Sequence, residues 1–295
     1  MRFWPILILL LAGCSTQQSR HAVQPPPRVE RGEAPTGRVL DAFSEAAAWK
    51  LYNVKGSITN LQFAASDGAM HLVSDRSAGL IWKAERYDPR AEPLLAWRWK
   101  VSDLLQGSSP LSPEFDNFPA RLLVGFDHGW KDAGPVALNW RKQVEAATGF
   151  TPPSRAICYT YGGSIGSNEA VDAAFGEGRI VVINLRTPAD EAGQWRDEVR
   201  DIASDYRAVF GAEPPPVMAL GLGCDSHRMD RRVEAWFAGL QAFGPDAYEW
   251  FRGELAAPPE RRAPLLTWLI VAACATIAAA SAGAWMWMLR RNTRN

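Results

Sequence analysis

The run Leu95-Ala-Trp-Arg-Trp-Lys-Val101 places Leu95, Trp97, Trp99 and Val101 at alternate positions, with Arg98 and Lys100 between them. A helix would scatter the four apolar residues around its axis, whereas a strand collects them on one face. Two tryptophans side by side on one face need an apolar layer to cover them, so the run predicts a strand in the core of a sandwich. Arg121, Leu123 and Gly125 alternate in the same way with Leu122, Val124 and Phe126. Ile180 to Leu185 and Val217 to Leu222 are apolar on both faces, as inner strands covered on both sides would be. Arg232 to Phe243 has the aromatic content of a further strand. Ser66-Asp67-Gly68, Gly107-Ser-Ser-Pro110 and Pro214-Pro-Pro216 separate these runs as turns. Thirteen tryptophans and 21 prolines in 295 residues also favour strands joined by turns over a helical bundle.

Two helices interrupt the strands. One is predicted from Pro135 to Ala147. In the other, Trp195, Val199, Ile202, Tyr206 and Val209 recur at helical spacing and Gly211 stands where a C-terminal cap belongs. Asp197 and Arg200 then read as a surface pair on that helix.

Both ends of the chain read as membrane ties. Residues 1–13 have the form of a lipoprotein signal: Arg2, a short apolar core from Phe3, then Leu11-Ala12-Gly13-Cys14, a lipobox in which the Cys14 thiol takes the lipid. Ser15, in place of an Asp, would permit sorting to an outer membrane. Residues 14–37, rich in Gln, Ser, Arg and Pro, read as a disordered tether. Leu265 to Leu289 carries no charge and is long enough to cross a hydrocarbon layer of about 30 Å. Trp268, Trp285 and Trp287 sit near its two ends, and the row Ala275, Ala279 and Gly283 would admit a second helix. Arg290, Arg291 and Arg294 mark 290–295 as a basic cytoplasmic tail. A spanning helix overrides the sorting permission of Ser15. The expected location is therefore the inner membrane, with a domain at 38–243 and a linker at 244–264 on the periplasmic side.

Net charge is zero and no dense Lys/Arg stripe occurs, which removes nucleic acid as a partner.

Four stretches together resemble one bacterial family. They are Leu95-Ala-Trp-Arg-Trp-Lys-Val101, Asp116-Asn-Phe-Pro-Ala-Arg-Leu-Leu-Val-Gly-Phe126, Trp195 through Asp205-Tyr206 to Phe210-Gly211, and Gly221-Leu-Gly-Cys-Asp225. Their order and spacing are similar to the domain-of-unknown-function family 3047, over about Arg38 to Phe243. The resemblance implies a mainly β, jelly-roll-like sandwich of the kind found in carbohydrate-binding modules, with one or two packed helices and no agreed activity. The chain departs from the family at Cys158-Tyr-Thr-Tyr161, where Tyr-x-Trp is usual, and at His227, where a second Asp is usual after Asp225.

Candidate chemistry is sparse. Asp116 and Arg121 flank a loop-to-strand junction and could bracket a sugar or carboxylate, or form a buried pair that orders the loop before Pro119. Asp225, His227 and Asp230 cluster after one strand and Asp127-His128 after another, but without the spacing of a metal motif. Glu114 or Asp116 with Asp225 could form an acid/base pair across a cleft. Ser164 and Ser167 lie in a Gly-rich loop without the geometry of a nucleophile elbow. Among Trp82, Trp97, Trp99, Trp130 and Trp140, the loop residue Trp130 and the helix residue Trp140 are the better sugar-stacking candidates. Cys158 and Cys224 could be a disulfide or two inert thiols. No cofactor motif is present. The expected function is binding of a glycan or other envelope polymer through Asp116, Arg121, Trp130 and Asp225. The alternatives are a glycan-active lyase or hydrolase, and a structural envelope protein with a protein partner.

Overall fold

A computed structural model describes residues 34–53, 57–174 and 176–261. The lipidation site expected at Cys14, nearly all of the tether and the span expected over 265–289 lie outside these residues. Among the described residues no helix is long and apolar enough to cross a membrane.

The chain forms strands β1 (Arg38–Asp41), β2 (Lys50–Asn53), β3 (Gln62–Ser66), β4 (Ala69–Asp75), β5 (Ala78–Tyr87), β6 (Leu94–Val101) and β7 (Ala120–Phe126) before its first helix, α1 (Pro135–Thr148). Strands β8 (Arg155–Tyr161), β9 (Glu169–Asp172), β10 (Ile180–Arg186) and β11 (Arg196–Asp201) lead to α2 (Ile202–Phe210). Then come β12 (Val217–Asp225), β13 (Arg232–Phe243), the short α3 (Tyr248–Phe251) and β14 (Glu260–Arg261). One sheet has the order β11-β6-β13-β4-β3, with β1 also on β13; the other runs β14-β9-β10-β8-β7-β12-β5-β2. Neighbours are antiparallel except β8 with β10 and β9 with β14.

The two sheets face each other as a β-sandwich. The alternating face of β6 supplies Leu95, Trp97, Trp99 and Val101 to the core, as its pattern requires. The opposing sheet contributes Leu122 and Val124 from β7, Tyr159 and Tyr161 from β8, and Leu220 and Leu222 from β12. Trp97 meets Tyr159 and Trp99 meets Tyr161 across the layers, both at 5.4 Å between ring centroids. Such aromatic pairs add about 0.5–1.5 kcal/mol each beyond area burial. At Gly239, a φ of 61° lets β13 bulge out of register with β6 without strain.

The second sheet is buried on both sides. Its outer face carries a separate apolar cluster that includes Tyr52, Trp82, Leu123, Cys158 and Val182. Val144 and Trp140, one turn apart on α1, pack onto this cluster. Helix α1 starts at Pro135, suited to a first helical position, and ends at Gly149 with φ 67°.

The helix expected from Trp195 begins later. Arg196–Asp201 pairs with β6 as an edge strand, and only from Ile202 is the chain helical. The Asp201 carboxylate accepts from Ser204 N at 2.8 Å and fixes that start. The expected Asp197–Arg200 pair does not form. Asp197 lies 3.3 Å from Arg98, while Arg200, buried, donates twice to Asp205 at 2.7 and 2.9 Å. Tyr159 completes that buried network by donating to Asp205 at 2.7 Å. Of the linker expected over 244–264, the described part to Arg261 folds back on the sandwich. Phe251 stacks edge-on against Phe243 at 5.1 Å, and β14 extends the larger sheet beside β9.

Candidate functional site

A cavity of about 340 Å³ opens on the outer face of the larger sheet. Its apolar walls come from Tyr52 on β2, Leu80 and Trp82 on β5, Leu123 on β7, Val182 on β10 and Trp140 on α1. Glycines on β12 make room for two of these. A Cβ at Gly221 would lie 3.0 Å from the Trp82 ring, and one at Gly223 would lie 2.6 Å from Leu80 Cδ2. The bare backbone of Gly221-Leu-Gly223 thus lets Trp82 and Leu80 lie flat across the strand beside theirs. Trp82 is only 2% exposed, and its Nε1 has no hydrogen-bond partner among the described residues.

The polar end is assembled from three segments. Asp116 lies in the loop before β7, Arg121 projects outward from β7, and Asp225 ends β12, followed by His227 and Arg228. Arg121 Nη1 donates to Asp116 Oδ1 at 3.0 Å, and its Nη2 lies 3.6 Å from Asp225 Oδ2. The guanidinium also lies over the Phe118 ring, with Cζ 4.6 Å from the centroid. Asp225 Oδ1 accepts from His227 N at 3.1 Å and meets His227 Nδ1 at 3.1 Å. Arg228 Nε donates to His227 Nε2 at 3.1 Å. A guanidinium has no acceptor, so this contact assigns the ring proton to Nδ1, which donates to Asp225. Asn117 Oδ1 accepts from Arg228 N at 3.3 Å and ties the two loops together.

Burial works against the charges of Asp116 and Arg121. It pushes the Asp116 carboxyl above the usual carboxylate range, against the pull of Arg121. It opposes the charge of Arg121 too, but the carboxylates of Asp116 and Asp225 outweigh it and hold the guanidinium ionised. Cys158 lies in the cavity floor, where burial pushes its thiol up to about 12.

Asp116, Arg121 and Asp225 therefore converge, as does His227. Trp140 joins them, but Trp130 does not line the cavity. Its ring centroid lies 6.3 Å from that of Trp140, with the Arg141 and Arg179 guanidinium carbons 5.5 and 5.9 Å from it. Asp230 faces solvent near Arg76, and Asp127 pairs with Arg86 at 3.0 Å, so neither joins the cluster. Glu114 stays outside the cavity on an exposed loop. No group of three or more metal-ligating side chains occurs among the described residues. The disulfide considered for Cys158 and Cys224 is absent; both thiols are free. Cys224 belongs to the sandwich core and Cys158 to the outer cluster, so they occupy opposite faces of one sheet with β7 between their strands. Tyr52, Leu80 and Arg228 were not anticipated. The signal that could have found Leu80 was the Gly-x-Gly spacing at 221–223, which implies bulk on a neighbouring strand.

The molecule is thus a two-sheet β-sandwich whose larger sheet bears an aromatic cavity with a charged end. The chain belongs to the family DUF3047, described as "Protein of unknown function", whose model matches residues 47–241. No curated protein matches it in sequence. Among solved structures it is similar to a metagenome-derived glycoside hydrolase family 12 endoglucanase, at 13% identity and a TM-score of 0.39, covering 71% of this chain and 96% of that one. It is also similar to a CBM4 structure at 9% identity and a TM-score of 0.28, covering 68% and 96%. A third is CBM86, a low-affinity xylan-binding module from Roseburia intestinalis, at 11% identity and a TM-score of 0.25, covering 66% and 92%. Likenesses this loose carry no functional information; the cavity does.

Proposed function

We propose that this chain is an envelope-tethered, jelly-roll-like module that binds a saccharide unit in the cavity over its larger sheet. One observation carries the reading: Tyr52, Trp82 and Trp140 meet Asp116, Asp225 and His227 around a single open cavity. Flat aromatic faces suit the C–H faces of a sugar ring, while carboxylates and an imidazole suit its hydroxyls. The volume falls within the roughly 300–1,000 Å³ typical of small-molecule sites. In this reading Cys14 carries the lipid and residues 265–289 span the inner membrane, which holds the sandwich in the periplasm. Intact mass of the mature protein tests the tethers: it should show a lipid adduct starting at Cys14 and retention of everything after Pro264.

Binding of the full chain to an oligosaccharide array, followed by calorimetry, tests the ligand class. Trp140→Ala should weaken any binding by about two- to tenfold, the equivalent of the roughly 0.5–1.5 kcal/mol that an aromatic contact adds. Array binding that survives this change undiminished would place the ligand elsewhere.

A glycan-active enzyme is the second reading, favoured by two carboxylates on either side of Arg121. The raised Asp116 would serve as acid and Asp225 as base. Against it, both carboxylates are engaged with the same buried guanidinium. Release of new reducing or unsaturated ends from a bound polysaccharide would establish this reading in place of the first.

A further inference from the structure

Resting on the saccharide reading, we infer that the inner end of the cavity accepts hydroxyl or ammonium groups and rejects carboxylates. The ligand class is then neutral and amino sugars rather than uronic acids.

The groups at depth are unbalanced toward acceptors. Asp116 and Asp225 are each only 9% exposed, and between them stands one buried cation, Arg121. That guanidinium is committed to the protein, donating to the Asp116 carboxylate and to the Asp116 main-chain oxygen, with Asp225 alongside. Asp225 Oδ1 holds His227, whereas Asp116 Oδ2 accepts no hydrogen bond from the described residues. Arg228 brings a second positive charge, but it lies exposed at the mouth, where water screens it, and its Nε is given to His227. Trp82 Nε1, a buried donor of the cavity wall without a partner among the described residues, has almost no accessible surface and so offers a ligand nothing. A hydroxyl can donate to Asp116, and an ammonium can donate to the carboxylates. A carboxylate can only accept. It would bring a third negative charge to a single guanidinium in a place of weak screening.

The test uses the full chain at neutral pH and oligosaccharides matched in length and linkage: neutral, 2-amino and uronic acid forms. Binding is followed by tryptophan fluorescence and calorimetry. In each series that binds, the uronic acid form should bind at least tenfold more weakly than the neutral form, and the amino form at least as tightly as the neutral one. A uronic acid form that equals or exceeds its neutral counterpart overturns the inference while leaving the saccharide reading standing. Absence of binding by any form removes that reading and the inference with it. Asp116→Asn and, separately, Asp225→Asn should each narrow the gap several-fold in protein whose near-ultraviolet circular dichroism is unchanged. If both variants fold and neither narrows it, the carboxylates are not its origin and the inference fails.

Discussion

Arg121 grips Asp116 from two directions, its Nη1 donating to the side-chain Oδ1 at 3.0 Å and its Nη2 to the main-chain oxygen at 2.6 Å. The same contact that shapes the polar end of the cavity therefore also pins the loop that leads into β7. Replacing Arg121 by Met keeps much of the bulk but leaves two buried carboxylates without their cation. The expected loss is about 3–5 kcal/mol of unfolding free energy by urea titration. A loss under about 1 kcal/mol would mean that the pair contributes neither order nor compensation.

A Cβ at Gly221 would press on the Trp82 ring at 3.0 Å. Gly221→Val should force Trp82 off β12 and cost about 1–3 kcal/mol, the usual range for overpacking. Near-ultraviolet circular dichroism should change with it, and ligand binding should be lost. Gly253→Ala, where an added Cβ meets nothing within 4 Å, is the control and should leave both unaltered. Equal effects at the two positions would sink the assignment of Gly221 to Trp82.

The two described thiols should remain separate and silent. Burial holds Cys158 protonated up to about 12 and pushes Cys224 higher still, so neither offers a thiolate near pH 8. Alkylation of the native chain should spare both until denaturant is added, and an oxidant should not cross-link them. Detection of a peptide bridging Cys158 and Cys224 would contradict their placement on opposite faces.

Asp116 gives stability a pH dependence of definite sign. Because its carboxyl lies above the ordinary range in the folded state, the folded chain binds that proton more tightly than the unfolded chain. Its contribution therefore favours folding below the ordinary carboxylate range and is lost as pH rises through the folded value. Compared with Asp116→Asn, which has no such proton, the natural chain should lose stability between about pH 4 and neutrality. A relative gain over that window would falsify the assigned direction.

Much of the sandwich was legible because its signals are local. The alternation of Leu95 to Val101 and the doubly apolar runs at 180–185 and 217–222 each specify a strand with no knowledge of its neighbours. The stretch from Trp195 to Val209 misled because Trp195 and Val199 are four apart, a spacing that fits one helix face and also one strand face. The capping Asp201, three residues before Ser204, marked the true start of the helix. Convergence of Asp116, Arg121 and Asp225 could only be posed as a question, since it depends on β7 and β12 being neighbours. Trp130 was chosen for its place in a loop, but its ring is taken up by Trp140 and two arginines. Tyr52 reaches the cavity because β2 joins the far edge of the larger sheet through β5, a pairing that no local pattern encodes.

Strand β13 lies between β6 and β4 and also receives β1, so Arg38 ends up opposite Ala242. The interior strand of the smaller sheet is thus among the last to be delivered when the chain is made or threaded from its N-terminus. Until then β6 and β4 have no shared partner, and the tryptophans of β6 lack a finished layer behind them. In a chain made from its N-terminus, long-range closure of this sheet must wait for residues 232–243, and β4 and β6 cannot pair on that side before they arrive.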